Sequence, residues 1–171
     1  GVFGPTNSNL TAGTYSLTAT DSHGCTLTAQ EAVAQPTALV NNVNVVDVAC
    51  NGASTGGISV VITGGTFPYS YLWNIGANTP QITNLPMGSY TLSITDAHGC
   101  SLTATAQVNE PPPLLLQTDK TDIRCFGDDD GSLSAMASGG TPPYVLQWSN
   151  GQTTAEIDGL VPGIYTLSVT D

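Results

Sequence analysis

The chain has 171 residues, 9% of them charged and 40% hydrophobic, with a formal net charge of −11. Lys120 and Arg124 are its only Lys or Arg residues, so no basic cluster is available to neutralise a phosphate backbone, which excludes nucleic acid and anionic lipid head groups as partners. Apolar runs such as Leu114–Leu116 fall far short of the roughly 18 residues a membrane-spanning helix needs, so no membrane insertion is expected.

Taken in chain order, the first punctuation is Asp21-Ser-His-Gly-Cys25, turn chemistry that follows the Tyr15 stretch. A joint follows at Gln35-Pro36, where proline stiffens the chain and cannot donate to a sheet ladder. Beyond it, apolar residues alternate with period two, as half-buried strands require. Ile58, Val60 and Ile62 form one row, Tyr69, Tyr71 and Trp73 a second, and Tyr90, Leu92 and Ile94 a third, while Leu102, Ala104 and Val108 suggest a fourth. Gly64-Gly65, Asn74–Gly76, Pro86–Gly88 and His98-Gly99 break the rows as turns. A second joint falls at Glu110-Pro111-Pro112-Pro113, after which the rows return as Leu133, Ala135 and Ala137, then Tyr144, Leu146 and Trp148, then Tyr165, Leu167 and Val169.

This return is a repeat with one fixed offset. Leu85–Asp96 recurs at Leu160–Asp171, Cys50 at Cys125, Trp73 at Trp148 and, running backwards, Asp96–Cys100 at Asp21–Cys25; the offset is 160 − 85 = 75 throughout, without insertion or deletion. Residues 1–35 are read as the C-terminal part of one repeat, 36–110 as a complete repeat, and 111–171 as the next without its last strand. The chain is therefore read as a fragment of something longer. Short antiparallel strands with frequent turns predict an all-β protein of tandem immunoglobulin-like β-sandwich repeats, each buried around its own core. Leu85-x-x-Gly88-x-Tyr90 resembles a tyrosine corner, which makes Tyr90 and Tyr165 structural. Trp73 and Trp148 are expected in the core, the alternative being a sugar-stacking platform with the Pro-Tyr pairs.

Four cysteines in a charge-poor chain suggest disulfides and an oxidising, extracellular compartment. Four strands are expected between Cys50 and Cys100, and an even number of antiparallel traverses returns a chain to the end it left, which favours a Cys50–Cys100 bridge. The alternative pairs Cys25 with Cys50 and Cys100 with Cys125 across the linkers, where an extended chain would far exceed the 7 Å limit on Cα separation.

Asp128-Asp129-Asp130 is the one acidic cluster and is a calcium candidate. The equivalent loop Asn51–Gly57 has no carboxylate, so a solvated turn is the expected reading. Asp21, Asp96 and Asp171 recur directly after a strand, where an Asp side chain bonds backbone N–H groups two residues on. His23 with Cys25, or His98 with Cys100, lacks the knuckle spacing of a zinc site. No catalytic residue is assigned: both histidines sit in equivalent turns, and no nucleophile–base arrangement recurs with the unit. The chain is expected to be no enzyme and to need no cofactor.

The series Cys50-Asn-Gly, Gly64-Gly65-Thr66-x-Pro68-Tyr69-x-Tyr71-x-Trp73 and Leu85-x-x-Gly88-x-Tyr90-Thr-Leu-x-Ile-Thr-Asp96-x-x-Gly99-Cys100 resembles the SprB-type repeat of Bacteroidota gliding-motility and cell-surface adhesins. Cys125-Phe-Gly-Asp, Gly139-Gly140-Thr141-Pro-Pro-Tyr144 and Trp148-Ser-Asn-Gly151 resemble it as well. Departures fall at Asn74-Ile-Gly-Ala-Asn78 and at Phe3-Gly-Pro-Thr6. The resemblance implies a long surface protein exported by type IX secretion and moved by the gliding machinery. These residues would then be stalk units whose partners are neighbouring repeats, with surface polysaccharide as a further candidate at Asn74–Asn78 and Asp128–Asp130. A binding module or a spacer of a secreted hydrolase is the alternative.

Overall fold

The computed structural model describes residues 6–171; Phe3, Gly4 and Pro5, part of one sequence departure, lie outside them. Among the described residues the regular elements are all β-strands. An N-terminal hairpin pairs β1 (Gly13–Thr20) with β2 (Thr26–Val33). The complete unit follows as β3 (Val40–Val46), β4 (Gly56–Thr63), β5 (Ser70–Trp73), β6 (Gln81–Leu85), β7 (Gly88–Thr95) and β8 (Ser101–Val108). The last unit holds β9 (Leu115–Thr121), β10 (Gly131–Ser138), β11 (Val145–Trp148), β12 (Glu156–Leu160) and β13 (Leu167–Thr170). Most counterparts start 75 residues apart, as Val40 and Leu115, Gly56 and Gly131, Ser70 and Val145, and Gln81 and Glu156 do.

The complete unit is a sandwich of two antiparallel three-stranded sheets, β3-β4-β6 and β5-β7-β8. Period-two alternation turns Ile58 and Val60 of β4 inward with Ile82 and Leu85 of β6, and they meet Trp73, Leu92, Ile94, Ala104 and Val108 from the opposite sheet. Leu92, Ile94 and Val108 are wholly excluded from solvent, each burial stabilising the unit by about 1.5–3 kcal/mol. Burying Trp73 requires a partner for its indole N–H, which donates to the Thr79 carbonyl at 2.9 Å. Trp148 repeats this with Thr154 at 3.0 Å.

Strand β6 breaks the period-two pattern. Gly56 pairs with Leu85 but Gly57 with Thr83, leaving Asn84 as an extra residue at a φ of 56°. This bulge puts Leu85 on the same face as Ile82, three positions away. The last unit has the same device at Gly159, with a φ of 63°, between the buried Ile157 and Leu160. Asn and Gly alternate at this position because both tolerate the left-handed region.

Strand directions overturn the expected cysteine bridge. The chain enters the unit at a proximal end, marked by Gly64-Gly65 and Asp96, and leaves at a distal end, marked by Gly56, Leu85 and Val108. Four strands do lie between Cys50 and Cys100. However, β5 runs from Ser70, opposite Thr95, only as far as Trp73, opposite Leu92, before the chain crosses to the other sheet. Strand β6 then completes the same traverse from Gln81, opposite Ser59, to Leu85, opposite Gly56. Four strands therefore make three traverses. Cys50 lies at the distal end and Cys100 at the proximal end, apart by about the length of β8, on the order of 25 Å at roughly 3.3 Å per residue. The alternative pairs fare no better: Cys25 and Cys50 are separated by β2, a linker and β3, and Cys100 and Cys125 by β8, a linker and β9. All four cysteines are free and exposed.

In the last unit β9-β10-β12 faces β11-β13. Trp148, Ile157 and Leu160 are buried, with Leu133, Ala135, Tyr165 and Leu167 packed partly against them. Strand β13 starts at Leu167 whereas its counterpart β7 starts at Gly88, since β13 pairs only with β11 and has no strand on its other edge.

Candidate functional site: the joints between units

The most heavily built positions outside the cores are the joints. On the proximal side, the Gly64-Gly65 turn receives the incoming linker: the Gly65 N–H donates to the Thr37 carbonyl at 2.8 Å. Gly64 has a φ of +74°, and a Cβ there would lie 1.9 Å from the Ala38 carbonyl oxygen. Only glycine fits both the backbone conformation and so close an approach. The next joint repeats the arrangement. Gly140 N–H donates to the Pro112 carbonyl at 2.8 Å, and a Cβ on Gly139, at a φ of +72°, would lie 2.0 Å from the Pro113 oxygen.

Behind each Gly-Gly turn stands the recurring aspartate. Asp96 is 6% exposed. Its Oδ1 accepts from the N–H groups of His98 and Cys100 at 2.9 Å, and its Oδ2 from Thr66 N–H at 2.9 Å. Burial alone pushes this carboxyl up, but the N–H donors of Thr66, Cys100 and His98, with the nearby His98 ring, outweigh it and hold the group below its ordinary value. Asp21 closes the same turn through His23 and Cys25, and Asp171 accepts from Thr141 N–H at 2.7 Å.

On the distal side, the β3–β4 loop grips the outgoing linker. Asp47 Oδ1 accepts from Asn109 N–H at 2.8 Å, and Val48 N–H donates to the Asn109 carbonyl at 2.8 Å. The Glu110 carboxylate accepts from Gly52 N–H at 2.8 Å and from Asn51 Nδ2 at 3.1 Å, and Nδ2 also donates to the Pro111 carbonyl at 3.0 Å. The proline segment is thus held by the unit before it at Glu110 and Pro111 and by the unit after it at Pro112 and Pro113.

The other candidates are separate. Trp73 and Trp148, at 2% and 3% exposure, lie inside the sandwiches, away from any surface a pyranose ring could reach. Tyr90 and Tyr165 bond back to the carbonyls of Pro86 and Val161 at 2.9 and 3.1 Å, as a tyrosine corner does. Asn74 is spent internally, accepting from Thr91 N–H and donating to the Ser89 carbonyl. Asp130 is turned to Arg124, with Oδ2 2.6 Å from Nε; the guanidinium holds its carboxyl below the ordinary range. Asp128 and Asp129 are exposed and do not gather with it into a ligand set, and among the described residues no three metal-ligating side chains converge. The His98 ring contacts Thr66 Oγ1 at 2.9 Å.

A groove of about 550 Å³ lies in the last unit between Lys120–Ile123, Gly131–Leu133 and Leu160–Tyr165. Its lining corresponds residue by residue, at an offset of 75, to the wall on which the complete unit seats Ala106–Val108 of β8. There Val108 packs against Gly56, and Tyr90 pairs with Ala106.

The SprB repeat family matches at residues 42–78 and again at 117–153. The chain is thus similar to the SprB repeat at two places. The matches are offset by 117 − 42 = 75 residues, the spacing of the strands, and each runs from the first strand of a unit to the turn after its tryptophan. No curated protein matches the chain. Within the units, the Gly-Gly turn and the recurring Asp were visible as repeated residues. The grip of Asp47, Asn51 and Glu110 was not, because it joins residues 58 to 62 positions apart, and its Asn and Glu do not recur: Phe126 stands where Asn51 would, and Gln35 where Glu110 would.

Proposed function

We propose that these residues are non-catalytic stalk units of a large cell-surface adhesin of the gliding-motility type, exported to the outer surface, with neighbouring repeats of the same chain as their immediate partners. The observation that carries this reading is the second linker, held from both sides, together with the glycine turn that receives the incoming chain at both joints. Tandem domains that served only to display separate binding sites would gain from loose linkers; fixing each joint suits a spacer that holds a distant tip away from a surface. The charge of −11 keeps such an array soluble and discourages lateral association. The SprB match supports a surface protein involved in adhesion or gliding, and attachment to the motility and secretion machinery would come through the parent protein. No helix among the described residues is long and apolar enough to cross a membrane.

The test is a binding panel: the purified chain against bacterial and plant polysaccharides and coated surfaces, with and without calcium, scored by shift in melting temperature. No saturable binding from a folded sample is expected. Saturable binding to one glycan, lost on mutating Asn78 or Asp128, would make the chain a binding module instead.

A further inference from the structure

We propose that the cysteines form a disulfide across each joint, linking the β3–β4 loop cysteine of one unit to the cysteine that opens the last strand of the unit after it. The inference rests on the geometry of the joints and holds for any tandem array of these units in an oxidising compartment, whatever the array is for.

Two observations place the partners. At the second joint, Cys50 directly precedes Asn51 and Gly52, which hold Glu110 and Pro111 from the distal end of the complete unit. At the first joint, Cys100 lines a groove with Gln35 and Pro36 at the proximal end of that same unit. Gln35 and Pro36 are the counterparts of Glu110 and Pro111, 75 residues earlier. The two cysteine positions therefore address the same two linker residues, one from the unit before the linker and one from the unit after it. Each joint here holds one of the two, Cys100 at the first and Cys50 at the second, and both thiols are free and exposed.

The last unit already carries the anchor for the other position. Asp171, counterpart of Asp96, is bonded to Thr141 N–H, beside the Gly140 that holds Pro112. In the complete unit the turn after Asp96 brings Cys100 N–H back to the Asp96 carboxylate at 2.9 Å. A cysteine four residues beyond Asp171 would fold back in the same way, against the linker that the Cys50 loop grips.

The bridge forms by thiol–disulfide exchange with a small-molecule or protein disulfide as oxidant. One thiol loses its proton, its thiolate attacks the oxidant and expels one thiolate. The second thiol loses its proton and its thiolate displaces the other half of the oxidant. Two protons and two electrons pass to the oxidant, which leaves as two thiols. Each joint then has two covalent connections, the proline linker and the disulfide, and cannot hinge open.

The test uses the chain extended after Asp171 by a copy of residues 97–110, which supplies the last strand of the final unit and one cysteine. The extended chain is checked for folding by circular dichroism and tryptophan emission, then oxidised with glutathione disulfide at low protein concentration. Peptide mapping without reduction is expected to find Cys50 joined to the added cysteine. Titratable thiols in the unfolded chain should fall from five, the four native cysteines plus one, to three. In the same chain Cys50→Ser should leave all four remaining thiols free. An added cysteine that stays reduced in a folded chain, or that joins Cys25, Cys100 or Cys125 instead, would overturn the proposal.

Discussion

Asp96 organises more backbone than any other side chain in the complete unit, accepting three N–H groups from two segments. Its carboxyl is held below the ordinary value of 3.8. As pH falls through that value the unfolded chain takes up a proton that the native unit still refuses, so stability declines, and the contribution is gone once the pH is below the folded value. Thermal unfolding of Asp96→Asn should accordingly start from a lower melting temperature at pH 7 and lose less on acidification from pH 5 to 3 than the parent does. An equal acid response in both would remove Asp96 from this role. Tyr90→Phe deletes the hydroxyl that bonds to Pro86 and leaves that carbonyl short of a partner, which should cost about 1 kcal/mol in urea unfolding. Both residues were legible in the sequence through their local chemistry, an Asp closing a His-Gly turn and a Tyr after Leu-x-x-Gly; the bond from Thr66 to Asp96, 30 positions away, was not. The Cys50–Cys100 pairing was not local, and it failed.

Strands β4 and β7 were legible because they obey period two over eight residues each, with one face inside. Strand β6 formed no row, since the bulge at Asn84 spaces its two core residues three apart. Strand β3 was obscured by asparagines on its outer face, although Val43 and Val45 pack against the core. The disulfide error came from this same stretch: counting strands ignores the crossing that lets β5 and β6 share one traverse, and nothing in the residues between Trp73 and Gln81 announces it. The bulge makes a specific prediction. Asn84→Gly should change unfolding free energy little, as Gly159 fills the same role, whereas Asn84→Val should cost about 1–3 kcal/mol for a β-branched residue at positive φ. Leu92→Ala, at a site with no solvent exposure, should cost about 2–5 kcal/mol. Hydrogen exchange should separate the two versions of one strand. The amides of β7, flanked on both edges, should be protected longer than those of β13, which pairs only with β11.

For the whole molecule, the central claim is that consecutive 75-residue units are fixed to one another by docked linkers. The period, the joints and the Gly-Gly turns were plain from self-similarity, but the distal grip on the second linker joins residues far apart in sequence, and its Asn51 and Glu110 have no counterparts in the other copies. Residual dipolar couplings measured for amides of residues 40–108 and of residues 115–170 test the claim directly, since two bodies that move together share one alignment tensor. The expected result is a single tensor for both units, with Gly139→Val splitting it in two while each unit keeps its fold, because the new side chain would meet the Pro113 carbonyl. Two independent tensors in the unmutated chain would contradict the account and turn the stalk into a string of loosely tethered beads.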